Sequence, residues 1–195
     1  AIIDRYIKAG FSILSLTDHN LVTYPWQEFS TFKPSDYVAK NWETDINYLP
    51  YEKIFAYKDL DPDSLGVIAV QGNEISYHHH IGSYFCDCNC NKNESETIEE
   101  IAKKNGLAVM NHPGRIEGDE NKAAEWYIEL FRRHKNLIGM EVYNTGLYHQ
   151  PGSVNKWDST LISLMPERPV WGFSNEDYHG DFRKNGDIRH IPGRN

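Results

Sequence analysis

Leu107-Ala108-Val109-Met110-Asn111-His112-Pro113 is a short apolar run that ends in two polar residues and a proline. Four apolar residues in a row are too few for a helix and read as a buried strand. The proline restricts the residue before it, so His112 is expected in extended backbone at the strand exit. Helical patterns lie on both sides. Upstream, Thr97-x-x-Glu100 resembles a capping box that opens a helix with Ile98, Ile101 and Ala102 inward, closed by Gly106. Downstream, Asn121 to His134 places Ala124, Tyr127, Ile128 and Phe131 on one side of a second helix.

The same alternation extends outward in both directions. Ala1 to Ala9 carries Ile2, Ile3, Tyr6 and Ile7 on a helical face and stops at Gly10; Phe11 to Leu16 is a short strand that runs into Thr17-Asp18-His19-Asn20. Val67 to Ile75 and His80 to Phe85 read as strands, as do Leu137 to Tyr143 and Val170 to Ser174, and Val154 to Leu164 reads as a helix. Residues 21–64 differ. They are aromatic-rich, contain Pro25, Pro34, Pro50 and Pro62, and read as a long excursion with short helices, one around Asp36 to Trp42. The β-then-α order implies an α/β fold with right-handed crossovers and a mostly parallel sheet, either open or closed into a barrel. Asp18 with His19, Glu74, His112, Glu141 with Asn144, and Asp177 with His179 each end or follow an apolar strand. In a parallel barrel all those ends share one face, where side chains from different strands converge.

The chain has 195 residues, which suits a single domain over 1–195. Hydrophobic residues make up 39% and charged residues 25%, the mix of a folded globular protein; no apolar run is long enough to span a membrane, so the chain is expected to be soluble. A net charge of -8 without a basic block argues against a strong nucleic-acid grip. It leaves room for a nucleotide substrate, because bound metals reverse the local field. Cys86, Cys88 and Cys90 fall as C-x-C-x-C, a poor disulfide framework and a poor match to zinc spacing. They are expected to share one face as incidental core or surface residues, with a second metal or redox site as the alternative. No signal peptide is visible, and because the chain opens at Ala1 inside a helical pattern an upstream segment is expected. Oligomeric state and compartment are left open by the residues, the cytoplasm being the favoured compartment.

Neutral imidazoles mixed with carboxylates suit zinc, manganese or iron. The set available is His19, Glu74, His80, His112, Asp177 and His179, and a carboxylate such as Glu74 can bridge two cations. Paired cations activate a shared water and stabilise both attacking and leaving oxygens of a phosphate ester. Thr17-Asp18-His19-Asn20, Gly72-Asn73-Glu74-Ile75-Ser76, His80-Ile81, Asn111-His112-Pro113, Glu141-Val142-Tyr143-Asn144 and Asp177-Tyr178-His179 occur in the order seen in PHP (polymerase and histidinol phosphatase) domains. The chain resembles that family over about residues 1–180, and most of all its stand-alone bacterial hydrolases.

The resemblance implies a distorted (β/α)7 TIM-like barrel with two or three divalent ions, Zn, Mn or Fe. It implies that His19, Glu74, His80, His112, Asp177 and His179 are metal ligands and that Asp18 orients an imidazole from behind. Arg115, just past His112-Pro113-Gly114, is placed by our own inference against a substrate phosphate. The family's opening His-x-His strand is missing before Ala1, so the barrel is expected to lack its first strand, with partial metal occupancy or impaired activity. The expected reaction is hydrolysis of a small-molecule phosphate ester or nucleotide by a metal-bound hydroxide, with Asp177 or a histidine protonating the leaving group. Amide or other non-phosphate hydrolysis on the same site, or a silent metal-binding domain, are the alternatives.

Strand alternation puts His78 and His80 on one face and His79 on the other, so at most two of the three reach one site. Glu141 is expected either to support a ligand or to touch substrate. His134, His149 and His190 read as surface residues, and Trp26, Trp42, Trp126, Trp157 and Trp171 as core packing.

Overall fold

The computed structural model describes residues 2–20, 62–115, 120–144 and 151–177. The helix expected around Asp36 to Trp42, most of the excursion, His149, His179, His190, Trp26 and Trp42 lie outside the described residues, as does the side chain of Arg115. The elements in order are α1 (Ile2–Lys8), β1 (Ile13–Ser15), a 3-10 turn (Asp63–Leu65), β2 (Ile68–Val70), β3 (Gly72–Ile75), β4 (Ile81–Tyr84) and α2 (Glu94–Lys103). They continue with β5 (Leu107–Met110), a 3-10 turn (Pro113–Arg115), α3 (Glu120–Arg133), β6 (Leu137–Asn144), α4 (Pro151–Leu164) and β7 (Trp171–Asn175).

The fold is mixed α/β. β1 and β2 pair in parallel, and a second sheet runs β3-β4-β5-β6-β7. The pairs β3–β4 and β4–β5 are antiparallel, whereas β5–β6 and β6–β7 are parallel. Three of the five strand pairs are parallel, so the mostly parallel order expected from the sequence fails only at β4, which is antiparallel to both neighbours. β3 and β4 are joined by Ser76 to His80, far too short for a crossover helix, so the chain must turn straight back as a hairpin. The expected barrel is not closed among the described residues: β1 and β2 bound one sheet, and β3 and β7 bound the other. The two sheets meet along one chain path. β2 pairs with β1, the path breaks at Gln71, and β3 pairs with β4 while an isolated parallel bridge joins His19 to Glu74.

Apolar periodicity explains the core. Ile98 and Ile101 of α2 and Tyr127 and Phe131 of α3 lie buried with Ile81, Met110, Leu137 and Met140 from the strands. Helix α2 starts earlier than the Thr97 box suggests. Its cap is Asn93, whose Oδ1 accepts from the Glu96 backbone N–H at 3.0 Å while its Nδ2 donates to Glu96 Oε2 at 2.8 Å. Thr97 is buried, and its hydroxyl donates to the Lys92 carbonyl instead. Asn105, not Gly106, takes the left-handed position after the helix, at φ 58°. Gly106 is needed for space, because a Cβ there would lie 2.3 Å from Cys86 Sγ.

Cys86 and Cys88 are buried in the core cluster and Cys90 packs against it partly buried, with Asp87 and Asn89 exposed between them. His134 is not on the surface as expected. It is 5% exposed, with Nε2 2.8 Å from Ser95 Oγ, and Arg168 donates to its carbonyl at 2.6 Å and to that of Leu137 at 2.8 Å. Trp126 and Trp157 pack on the core, but Trp171 is 63% exposed because β7 is an edge strand.

Candidate metal centre

Main-chain bonds set the first two side chains. Glu74 N–H donates to the Asp18 carbonyl at 3.1 Å, and Asn20 N–H donates to the Glu74 carbonyl at 2.8 Å. Residues 18–20 are thereby laid along β3 with His19 level with Glu74. Asn20, in left-handed backbone at φ 53°, locks the pairing with its side chain: Oδ1 accepts from Ser76 N–H at 2.8 Å and Nδ2 donates to Ser76 Oγ at 3.0 Å. Asp18 is exposed.

Glu74 is the centre of the arrangement and is 5% exposed. Its Oε2 lies 2.7 Å from His19 Nδ1 and 3.3 Å from His80 Nδ1, and its Oε1 lies 3.1 Å from His112 Nε2. Asn111 Nδ2 donates to Oε1 at 2.8 Å. His80 stands with its ring edge-on to both His19 and His112, at 5.3 Å between centroids in each case. Burial pushes the Glu74 carboxyl up, but the contacts with His112, His19 and His80 outweigh it and hold the group well below the usual carboxylate range. The same contact with Glu74 raises the His19 imidazole.

The His78-His79-His80 run does not alternate as a strand, because it forms bends at the hairpin tip. His78 is exposed. His79 turns away from Glu74 and packs against Trp126 and Tyr127, with ring centroids 5.7 and 5.8 Å away. Burial pulls its imidazole down to about 3.

His112 leaves β5 in left-handed backbone at φ 47°, not in the extended backbone expected before a proline. Its surroundings override the local preference: the ring is held from both sides. Nδ1 lies 2.9 Å from Glu141 Oε1 and 3.0 Å from Asn144 Nδ2, and Nε2 faces Glu74 and, at 3.8 Å, Asp177 Oδ2. Burial pulls the imidazole down, but the contacts with Glu141 and Glu74 win and raise it to about 10. Asn175 Nδ2 donates to Glu141 Oε2 at 2.9 Å. Asp177, just past β7, also has left-handed backbone, φ 48°. Non-glycine residues in that region are uncommon and tend to cluster at binding and catalytic sites.

Five of the sequence-derived candidates thus come together from separate elements: His19, Glu74, His80, His112 and Asp177. His19, Glu74 and His80 each offer one ligand atom, and these lie within 4.8 Å of one another. The donor set fits a divalent cation on an observation of its own. His80 Nδ1 and His112 Nε2 are buried and close to Glu74, yet neither makes a directed hydrogen bond. Buried polar atoms without a directed partner are rare, and a cation taken up beside Glu74 would satisfy them. Glu141, 2.9 Å from His112 Nδ1, is placed to accept from that nitrogen and so to fix the tautomer of the ring. Asn111 and Asn175 were given no role from the sequence, although Asn111 stands in the quoted strand exit and Asn175 just before Asp177. Their position at strand ends was the available signal.

In fold, the chain is similar to a two-domain protein from Bacteroides vulgatus ATCC 8482 described as containing a predicted PHP-like metal-dependent phosphoesterase. The TM-score is 0.53 at 19% identity, over 91% of this chain and 46% of that one. The chain therefore spans about half the length of that protein. No family model and no curated protein sequence matches it. No helix among the described residues is long and apolar enough to cross a membrane.

Proposed function

We propose that this chain is a metal-dependent hydrolase of small-molecule phosphate esters, holding two or three Zn, Mn or Fe ions on His19, Glu74, His80, His112, Asp177 and His179. The observation that carries it is the convergence of His19, Glu74 and His80, with ligand atoms within 4.8 Å of one another, beside the Glu74–His112 contact. Divalent ions there would supply Lewis-acid activation of water and of phosphoryl oxygens.

The protein's own residues do the rest. Glu74 turns one oxygen to His19 and His80 and the other to His112, an orientation suited to a shared carboxylate. Glu141 accepts a hydrogen bond from His112 Nδ1–H and leaves Nε2 directed inward. Asn111 and Asn175 orient the two carboxylates. Asp177 or a histidine delivers the proton to the leaving group, Asp18 orients an imidazole, and Arg115 meets the substrate phosphate.

Elemental analysis of the purified chain, paired with turnover of an aryl phosphate in added manganese or zinc, tests this. Metal at one equivalent or more, with turnover abolished by His112→Ala or Asp177→Ala, is expected. Turnover of an anilide but not the phosphate would move the assignment to amide hydrolysis. No metal under any loading condition would sink it.

A further inference from the structure

We propose that Lys156, on helix α4, is a positioning residue of the metal centre: its ammonium pins the Pro113 carbonyl and so fixes the left-handed backbone of His112. The inference rests on the metal centre drawn above.

Lys156 is 5% exposed, and its Nζ donates to the Pro113 carbonyl at 2.7 Å. A buried ammonium is a poor packing element, since a methionine fills the same length without desolvating a charge. Here the ammonium donates to a peptide group of the turn that follows His112. That group also accepts the Tyr127 hydroxyl at 3.3 Å from α3. The next residue is gripped by the same helix: Gly114 N–H donates to Ser153 Oγ at 3.0 Å. Gly152 lies opposite Gly114, where a Cβ would stand 3.5 Å from the Gly114 Cα, an ordinary packing distance. The opening turns of α4 therefore clamp Pro113 and Gly114, which directly follow His112.

His112 needs such a clamp. At φ 47° it occupies a sparsely populated backbone region that persists only where the surroundings over-determine it. The proline after it disfavours that backbone further. If the Pro113 carbonyl were released, His112 could relax toward extended backbone, and its ring would swing away from Glu74 and Glu141. Lys156 lies on a helix that supplies none of the candidate ligands, and its hydrogen bond reaches the centre by way of the Pro113 turn.

Lys156→Met and Lys156→Arg, made in the full chain, separate a positioning role from a packing role. Three measurements are needed: Mn2+ affinity by calorimetry, the visible spectrum of the Co2+-loaded protein, and the unfolding midpoint without metal. Lys156→Met is expected to keep or raise the metal-free midpoint while binding Mn2+ about 10–100-fold more weakly, the usual effect of losing support behind a ligand. Its Co2+ spectrum changes, and Lys156→Arg restores most of both. Should Lys156→Met not fold, Lys156→Gln, too short to reach the carbonyl, takes its place with the same expectation. Unchanged Mn2+ affinity and an unchanged Co2+ spectrum would overturn the proposal. If the wild-type chain binds neither ion, the metal centre itself fails. The imidazole 15N signals of His112 then decide: they move in Lys156→Met if the lysine positions the ring, and stay put if it does not.

Discussion

Replacing Glu74 by glutamine keeps the side chain's shape and removes the charge at which three imidazoles converge. Glu74 is the one carboxylate of the three-residue cluster and is almost fully buried. Changes behind a ligand already weaken metal binding by about 10–100-fold, so loss of a shared carboxylate is expected to weaken it by about 100-fold or more. The consequence can be read from unfolding. At a metal concentration 100 times the dissociation constant, the wild-type chain gains about 2.7 kcal/mol. For a chain of 195 residues that raises the melting midpoint by about 5–11 °C. At the same metal concentration Glu74→Gln sits near its own dissociation constant or below it and gains at most about 0.4 kcal/mol, or about 1–2 °C. Each protein is melted with chelator and again with Mn2+ or Zn2+, so that any loss of intrinsic stability cancels from the difference. A metal-induced rise in Glu74→Gln equal to that of the wild type would refute the assignment of Glu74 to the centre.

Without metal, the raised His112 imidazole contributes stability that is fully present below about pH 6.5 and is lost as the pH rises toward about 10. Urea midpoints of chelated protein should therefore fall through that window, by at most about 1.4 kcal/mol per pH unit; a flat or rising profile would contradict it. Arg168→Ala removes two bonds to the carbonyls of His134 and Leu137 and is expected to lower stability by about 1.5–3 kcal/mol in urea while leaving the metal-induced shift intact. Gly106→Ala forces a Cβ to within 2.3 Å of Cys86 Sγ and 2.9 Å of Ile101 Cγ2, and should cost about 1–3 kcal/mol in the same assay. A wild-type midpoint in that variant would mean that the strand start is looser than drawn.

The strands and helices were legible because their apolar periodicity is local, and Leu107–Met110 falls where the sequence put it. Strand direction was not read correctly at the hairpin, although the short Ser76 to His80 connection forbids a crossover and was there to be used. The clustering of polar residues at strand ends marked the site region, because an apolar strand followed by histidine or acid is a pattern within a few residues. What escaped depends on distant partners. His134 is buried beneath an arginine 34 residues away, the backbone of His112 is set by neighbours on β3, β6 and α4, and Asn175 acts on a glutamate of the adjoining strand. Nothing in the local sequence singles out Lys156; the approach of α4 to the Pro113 turn gives it a task.

The alignment of His19 with Glu74 is written mainly in peptide groups: the Asp18 carbonyl, the Asn20 amide, and both main-chain groups of Glu74. Such bonds are blind to side-chain identity. Over evolutionary time the residues flanking these positions can drift widely without changing the spacing of the two functional groups, provided the backbone path survives. A likeness of fold can then stand without a likeness of sequence, as a TM-score of 0.53 does at 19% identity.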